Sequence, residues 1–160
     1  MEIEKVREFT IAPMKHNHFA EIISIAHALP QWFTETGIRN MMVDLKHQKG
    51  FVIQGSRGDV LGFITYFVNQ GVAQIGWMAV NPEFHRKSIG QKLLMGLEIY
   101  LVQEDVEDLQ VSTLGDSVDY EPYARTRNFY RKNGFVDYNR VLHPENPECE
   151  EELIMKKVLR

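Results

Sequence analysis

Cysteine is nearly absent from this sequence. Cys149 stands alone among 160 residues, so no disulfide can form within the chain. A reducing cytoplasm is the simplest setting for such a composition, and we predict a cytoplasmic protein. The lone thiol lies between Glu148 and Glu150, whose negative charges should raise its pKa. A nucleophilic cysteine is therefore not expected.

Long apolar runs and blocks of positive charge are also missing. No stretch approaches the roughly 20 apolar residues that a membrane span requires. Residues 1–20 carry charges and no signal-peptide core. The formal net charge is −4, without a block of Lys and Arg. We therefore expect neither a membrane nor a nucleic acid as a partner.

Two common kinds of nucleotide and metal motif are absent as well. The sequence contains neither the P-loop spacing GxxxxGK[ST] nor the dinucleotide fingerprint GxGxxG. Its six histidines form no HxxxH pair or comparable cluster with nearby acids. We therefore predict no metal site.

The composition that remains is typical of one globular domain covering residues 1–160, with 44% hydrophobic and 25% charged residues. Periodicity and turn residues predict alternating strands and helices. The predicted elements are strand 4–11 closed by Pro13, helices over 19–29 and 38–45, strands 51–53, 60–68 and 72–80, helix 89–101, strand 109–114, helix 123–133, and a hairpin of 135–142 with 151–159. Asn17 is the predicted cap of the first helix, Gly50 the predicted end of the second, and 143–152 an exposed acidic loop.

The main chemical signal lies in the stretch 74–94, QIGWMAVNPEFHRKSIGQKLL. It predicts an apolar strand, a turn, a basic loop and then an amphipathic helix. Unpaired backbone N–H groups and the positive end of the helix dipole favour a polyanion such as a pyrophosphate at that point. Ser88 is a candidate helix cap, with Gln91 completing a capping-box pattern. The segment is therefore a candidate phosphate cradle.

At this segment the chain resembles the GNAT acetyltransferases. Their signature is an apolar strand ending in Val, a turn, and [Q/R]xxGx[G/A] leading into a helix, read here as His85-Arg86-Lys87-Ser88-Ile89-Gly90. His85 replaces the usual Gln or Arg, and Ser88 replaces the usual first Gly. The predicted element order extends the resemblance over the whole chain. It implies an α/β (α+β) fold with a mixed, mostly antiparallel seven-stranded sheet, about four helices, and splayed fourth and fifth strands.

The resemblance also implies acetyl-CoA as the cofactor, with its pantetheine arm hydrogen-bonded to the backbone of the fourth strand. The residues that this assigns to cofactor binding are Met78, Ala79, Val80, His85, Arg86, Lys87, Ser88, Ile89, Gly90, Gln91, Thr113, Asn128 and Tyr130. Many relatives contact the pantetheine arm with an Asn seven residues before the Tyr, where this chain has Tyr123. Three alternatives are open for that contact: it is lost, the Tyr123 hydroxyl replaces it, or Asn128 supplies it.

The second chemical segment is the helix that ends at Gly134. Gly134 can adopt the left-handed conformation that closes a helix, and Phe135 then packs back towards Tyr130. A neutral phenol can donate a proton to a departing thiolate. The family resemblance assigns this general-acid role to Tyr130, whereas periodicity alone leaves open a simple core aromatic. The cations of this helix, Arg125, Arg127, Arg131 and Lys132, are interpreted mostly as a solvated face.

The proton acceptor is harder to assign. An ammonium substrate must lose a proton before it attacks, but the predicted fourth strand contains no acid. The candidates are Asp116, Asp119, Glu121 and Glu83, with a water relay as an alternative. Asp116 is the first choice because it follows Thr113-Leu114-Gly115 at the end of a strand.

The acceptor is expected to be a primary amine on a small molecule or a peptide. The family builds its acceptor pocket from the segment between the first two helices, which assigns Trp32, Phe33 and Glu35 to substrate binding. The two aromatics could instead line a homodimer surface or fold back as a lid on the core. We predict an N-acetyltransferase acting by direct attack in a ternary complex. The alternative is a non-catalytic acyl-CoA-binding sensor of the same fold.

Overall fold

The structure is a computed structural model that describes residues 9–160, and within them it has seven strands and four α-helices. The strands are β1 (Thr10–Pro13), β2 (Lys49–Gln54), β3 (Val60–Asn69), β4 (Val72–Val80), β5 (Asp108–Leu114), β6 (Val136–Leu142) and β7 (Glu151–Val158). The helices are α1 (Phe19–His27), α2 (Glu35–Asp44), α3 (Ile89–Gln103) and α4 (Glu121–Lys132). Three-residue 3-10 turns precede α1 and follow β4.

The strands form one mixed sheet in the order β1-β2-β3-β4-β5-β7-β6. The β4–β5 pair is parallel, whereas the β1–β2, β2–β3, β5–β7 and β6–β7 pairs are antiparallel. The predicted fold class is confirmed by this topology. No helix within residues 9–160 is long and apolar enough to cross a membrane.

The chain separates into two compact units. Among the described residues, the first contains 9–67 together with Gly76–Tyr100. Its core is a cluster in which α1 and α2 pack on the sheet: Ile22, Ile25, Ala26, Leu29, Phe33, Ile38, Met41, Leu45, Val52, Val60, Phe63 and Ala79. The apolar periodicity of both helices arises from this burial.

The second unit contains Val68–Ile75 and Leu101–Arg160. Along β7, Leu153 and Met155 are fully buried, whereas Ile154 between them is only partly buried. Lys157 continues the face of Leu153 and Met155, and its ammonium donates a hydrogen bond of 2.7 Å to the carbonyl of Asn133 at the end of α4. The C-terminal end of α4 therefore lies against the face of β7 that carries Leu153, Met155 and Lys157.

The parallel ladder between β4 and β5 joins Val72–Ile75 to Asp108–Val111. On its other edge β5 pairs with β7, from Asp108–Val158 to Leu114–Glu152. Along the chain β4 runs on to Val80, directly before the basic loop, and β5 runs on to Leu114. The splay of the two strands that the resemblance implies stays a prediction.

Several predicted boundaries differ from the structure. The predicted start of the first strand lies outside the described residues. Strand β1 includes Pro13, and an edge strand tolerates a proline where the missing N–H would point away from the neighbouring strand. The predicted cap Asn17 lies inside a 3-10 turn, and His18 precedes α1. Gly50 does not end α2 but lies in β2, where a side chain would collide with the carbonyl of Ile64.

The predicted closure of α4 is confirmed. Gly134 has a φ of +94°, and its N–H donates to the carbonyl of Arg131 at 3.2 Å. The N–H of Phe135 donates to the carbonyl of Tyr130 at 3.0 Å, and the two rings meet edge to face with centroids 5.3 Å apart. This pair of hydrogen bonds is the Schellman motif, and it fixes the backbone on which Tyr130 is carried.

We predict that Gly134→Ala lowers the free energy of unfolding by about 1 kcal/mol, because a Cβ is disfavoured at this φ. The new Cβ would also lie 3.2 Å from Cε of Lys157. Urea unfolding measures the change. Gly37→Ala in α2 is the matched control, since Gly37 has no positive φ. An unchanged unfolding midpoint for Gly134→Ala contradicts the prediction.

Candidate functional site

The loop between β4 and α3 begins with a rigid turn. The side chain of Asn81 accepts a hydrogen bond from the N–H of Glu83 at 3.0 Å, and its carbonyl accepts from the N–H of Phe84 at 2.8 Å. Pro82 is the first residue of this 3-10 turn, where its fixed φ is favourable and its missing N–H costs nothing. The turn therefore sets the direction in which the basic loop leaves the strand.

His85 ties the loop back to the end of β4. Its Nε2 lies 2.8 Å from the carbonyl oxygen of Val80. A carbonyl can only accept, so this nitrogen carries the proton and donates. The His85 side chain thus shapes the loop, and its backbone is the part that would contact a phosphate. Lys87 lies near it, with its ammonium 5.5 Å from the centre of the Phe84 ring.

Two residues of the loop have left-handed backbone. Arg86 has a φ of +65° and Ser88 a φ of +60°. The family places a glycine at the position of Ser88, and this backbone conformation gives the physical reason. The carbonyl of Ser88 accepts the N–H of Lys92 at 3.0 Å, which is the first hydrogen bond of α3.

The first turn of α3 supplies the donor set of the candidate cradle. The first N–H groups of a helix have no carbonyl partner within it, and in α3 they belong to Ile89, Gly90 and Gln91. The side chain of Ile89 is fully buried, so its contribution to a ligand site is limited to its backbone. An anion is favoured here by the N–H groups and by the helix dipole.

The end of β4 is held by contacts that sequence analysis missed. The N–H of Trp77 donates to Oγ1 of Thr65 at 2.8 Å, and its indole N–H donates to Oδ2 of Asp44 at 2.9 Å. The Trp77 ring stacks on Phe33 with centroids 6.1 Å apart. Ala79 faces the same buried cluster, so its side chain is also committed to the core.

The predicted acceptor residues lie between α1 and α2. Phe33 belongs to the buried core cluster, and Trp32 packs against it. This matches the alternative in which the aromatics fold back as a lid on the core. The Oγ1 of Thr34 accepts the N–H of Gly37 at 3.0 Å and caps α2, which leaves Glu35 exposed in the first turn.

In the second unit, Tyr130 is buried, with 6% of its surface exposed. Its ring packs edge to face on Phe129 and Phe135, each with centroids 5.3 Å away. Burial raises the pKa of the Tyr130 phenol well above its usual value near 10. The side chain is therefore neutral at physiological pH and able to donate a proton or a hydrogen bond.

Asp116 follows β5 in the same unit and forms an ion pair. Its Oδ1 lies 2.6 Å from Nη1 of Arg140. The hydrogen bond from Arg140 lowers the pKa of the Asp116 carboxyl below its ordinary range. Asp137 shares the same guanidinium at 3.3 Å. Asp116 is thus a weaker proton acceptor than an isolated carboxylate.

Two buried charged residues hold the segment that carries Asp116. Glu151 is 8% exposed, and its Oε1 accepts the N–H of Ser117 at 3.1 Å and lies 3.3 Å from Nη1 of Arg140. A Cβ on Gly115 would collide with this carboxylate. Arg127 is 5% exposed and donates 2.7 Å to the carbonyl of Leu114.

These two residues correct two interpretations from the sequence. Arg127 is buried and does not belong to a solvated face, unlike Arg125, which pairs with Glu121 at the surface. Glu151 is the first residue of β7, as the predicted strand 151–159 has it, but it is buried and does not belong to the exposed loop predicted over 143–152. Alternation along β7 places it on the same face as Leu153 and Met155, and this alternation was the signal that could have predicted its burial.

The remaining assigned residues are also placed in the second unit. Thr113 is buried on β5, whereas Asn128 is exposed on α4. Cys149 has a raised pKa, chiefly because it is partly buried and then because of the charges of Glu152 and Glu151. Within residues 9–160 no three His, Cys, Asp or Glu side chains are grouped to hold a metal ion.

The left-handed backbone of Ser88 leads to a prediction. Ser88→Gly should raise the free energy of unfolding by about 0.5–1 kcal/mol, because relief of the left-handed strain exceeds the added flexibility of the unfolded chain. Ser88→Ala keeps the Cβ and is the control that should show no gain. Urea unfolding of both variants decides the matter, and equal stability of the two would refute the strain.

Comparisons with known proteins agree with this geometry. The family described as "Acetyltransferase (GNAT) domain" matches residues 46–137. A solved protein of the GNAT family from Desulfovibrio desulfuricans superposes with a TM-score of 0.80 at 16% identity, covering 96% of this chain and 100% of its own.

Two further solved structures are similar. One is the ribosomal-protein-S18-alanine N-acetyltransferase from Escherichia coli, with a TM-score of 0.76, 17% identity, and coverage of 95% of this chain and 94% of that one. The other is the PaiA N-acetyltransferase from Thermoplasma acidophilum in complex with coenzyme A. It has a TM-score of 0.71 and 15% identity, and the match covers 94% of this chain and 99% of that one. No curated protein sequence matches the chain. The family match covers more than half of the sequence, and this chain therefore belongs to the GNAT acetyltransferase family.

Proposed function

We propose that this protein is an N-acetyltransferase that moves the acetyl group of acetyl-CoA to a primary amine by direct attack in a ternary complex. The observation that carries the proposal is the entry to α3. Two left-handed residues, Arg86 and Ser88, precede a first turn whose amides form an anion site. Family membership supplies the identity of the anion, the diphosphate of coenzyme A.

The chain's own residues have distinct roles in binding. The amides of Ile89, Gly90 and Gln91 hold the diphosphate, with Arg86 and Lys87 adding positive charge. The backbone of Met78, Ala79 and Val80 on β4 hydrogen-bonds the pantetheine arm, and His85 fixes the carbonyl of Val80. Thr113 on β5 and Asn128 on α4 complete the assigned set. Positioning of the thioester supplies much of the rate enhancement.

The reaction is a nucleophilic substitution at the thioester carbon. The neutral amine attacks this carbon, a C–N bond forms, and the C–S bond breaks with its electron pair leaving on sulfur. Tyr130 donates its phenolic proton to that sulfur. The nitrogen releases one proton to a base, and a proton from solvent restores the phenol. The products are the N-acetylated amine and coenzyme A.

Tyr130 suits this role because its environment keeps it protonated. A raised pKa ensures that the phenol carries its proton whenever the thioester arrives. Its position is fixed by the Schellman motif and by two aromatic contacts. We predict that Tyr130→Phe, which preserves the ring packing, lowers kcat about 100-fold or more.

The experiment that tests the function measures free thiol released from acetyl-CoA in the presence of a panel of primary amines. We expect amine-dependent release by the wild-type protein and its loss in Tyr130→Phe. Tyr138→Phe, an exposed tyrosine on β6, is the control that should retain activity. Calorimetric affinity for acetyl-CoA should change little in Tyr130→Phe, because the variant removes one hydroxyl and the proposed diphosphate donors are the amides of Ile89, Gly90 and Gln91.

The burial of Tyr130 also supports a second candidate function, a non-catalytic sensor of acyl-CoA. In this alternative the phenol, which packs on Phe129 and Phe135, is a core aromatic without a role in proton transfer. In that case acetyl-CoA would raise Tm without any release of thiol. This result, with every amine in the panel, would replace the enzyme by the sensor.

Asp116 is the proposed proton acceptor. Its pairing with Arg140 weakens it as a base but holds it ready in its charged form. We predict that Asp116→Asn lowers kcat/KM about 100-fold at neutral pH. Asp137→Asn is the matched control, because Asp137 pairs with the same guanidinium. Equal losses in both variants would show that Asp116 only anchors its loop, and the proton would then leave through water.

The acceptor is proposed to be cationic. Glu35 in the first turn of α2 and Asp116 after β5 are both exposed acids. Their negative charge favours the approach of a protonated amine, which loses its proton after it has bound. Trp32 and Phe33 would contribute through the position of the segment that they anchor to the core. A cytoplasmic location, a single functional domain and a homodimer remain predictions of the sequence.

A further inference from the structure

One buried hydroxyl has no hydrogen-bond partner among the described residues. The Oγ1 of Thr113 is fully buried and unpaired, and the residue as a whole is 7% exposed. Buried polar groups are nearly always satisfied in folded proteins, because an unpaired one keeps the full cost of leaving water. Thr113 therefore requires an explanation.

The neighbours of Thr113 do not provide a partner. Its register partner on β7 is Leu153, and Val111 precedes it on the same face of β5. Met155, the partner of Val111, is also fully buried. These neighbours along and across the strands are apolar, so an unpaired threonine hydroxyl here costs stability that a valine would not.

The position of Thr113 in the fold points to a ligand. Thr113 lies on β5 two residues beyond Val111, the register partner of Ile75 on β4. It is on the same sheet face as Lys157, whose ammonium donates to the carbonyl of Asn133 at the end of α4. The next residue, Leu114, is bound directly by Arg127 of α4. Arg127 and Tyr130 are the two buried side chains of α4.

We propose that the hydroxyl of Thr113 donates a hydrogen bond to the carbonyl oxygen of the acetyl thioester. The proposal rests on the function proposed above, in which Tyr130 meets the sulfur. The thioester oxygen is two bonds from that sulfur and can only accept, which suits a hydroxyl donor. The bond strengthens as negative charge develops on the oxygen during attack.

This role predicts opposite effects on the free protein and on the complex. Thr113→Val removes the unpaired hydroxyl, so Tm of the free protein should rise by about 2 °C or more. The same variant should bind acetyl-CoA about 2- to 10-fold more weakly. Its affinity for coenzyme A, which lacks the acetyl carbonyl, should not change. In the acetylation of an amine, kcat of Thr113→Val should fall about 10-fold or more.

Thr65→Val is the matched control for the stability arm. Thr65 is fully buried, but its Oγ1 donates to Oε1 of Gln48 at 2.7 Å and accepts the N–H of Trp77 at 2.8 Å. Loss of a satisfied hydroxyl should lower Tm, in contrast to Thr113→Val. Thr113→Ser, which keeps the hydroxyl, should retain the wild-type ratio of acetyl-CoA to coenzyme A affinity.

Calorimetry with both ligands and thermal unfolding without ligand separate the outcomes. A lower Tm for Thr113→Val would mean that the hydroxyl is already satisfied, for example by water, and would overturn the proposal. An equal loss of affinity for both ligands would assign the hydroxyl to another part of the cofactor and would overturn it too. Wild-type protein that binds neither ligand would instead refute the proposed function.

Discussion

The parallel pairing of β4 with β5 is the interaction on which the rest of the structure depends. It joins Val72–Ile75 to Asp108–Val111, while the other edge of β5 pairs with β7 as far as Leu114–Glu152. Parallel strands need a crossover connection, usually a helix, and here that connection contains α3. The same connection that joins the two strands therefore also supplies the helix start whose first amides have no carbonyl partner within the helix.

In each unit, polar contacts of buried or partly buried side chains hold the end of one of these strands. In the first unit, Thr65 and Asp44 bind the backbone and the indole of Trp77, which fixes the end of β4. In the second unit, Arg127 and Glu151 bind the backbone around the end of β5. Burial of a charge is costly unless the charge is hydrogen-bonded. The hydrogen bonds of Arg127 and Glu151 to the backbone offset that cost and hold the loop after β5 in one conformation.

The features that could be predicted from the sequence depend on local rules. The cap at Gly134 and the periodic face of α3 follow from the neighbours of each residue alone. Gly50 could not be placed in the same way, because its constraint is the carbonyl of Ile64 on another strand. The burial of Arg127 and Glu151 could not be predicted for a related reason. A charged side chain is normally solvated, and the burial of these two is tolerable only because each one binds backbone at the end of a strand.

In the proposed mechanism, the match between Tyr130 as the acid and the departing thiolate depends on burial rather than on the ordinary pKa values of the two groups. A thiol near 8.5 and a phenol near 10 make proton transfer to a solvated thiolate unfavourable. Desolvation raises both values, because it disfavours every anion. It raises the pKa of the Tyr130 phenol here, and it raises that of the Cys149 thiol in the same unit. A thiolate released against the buried face of α4 would therefore be a stronger base than in water, and the phenol would remain an adequate donor to it.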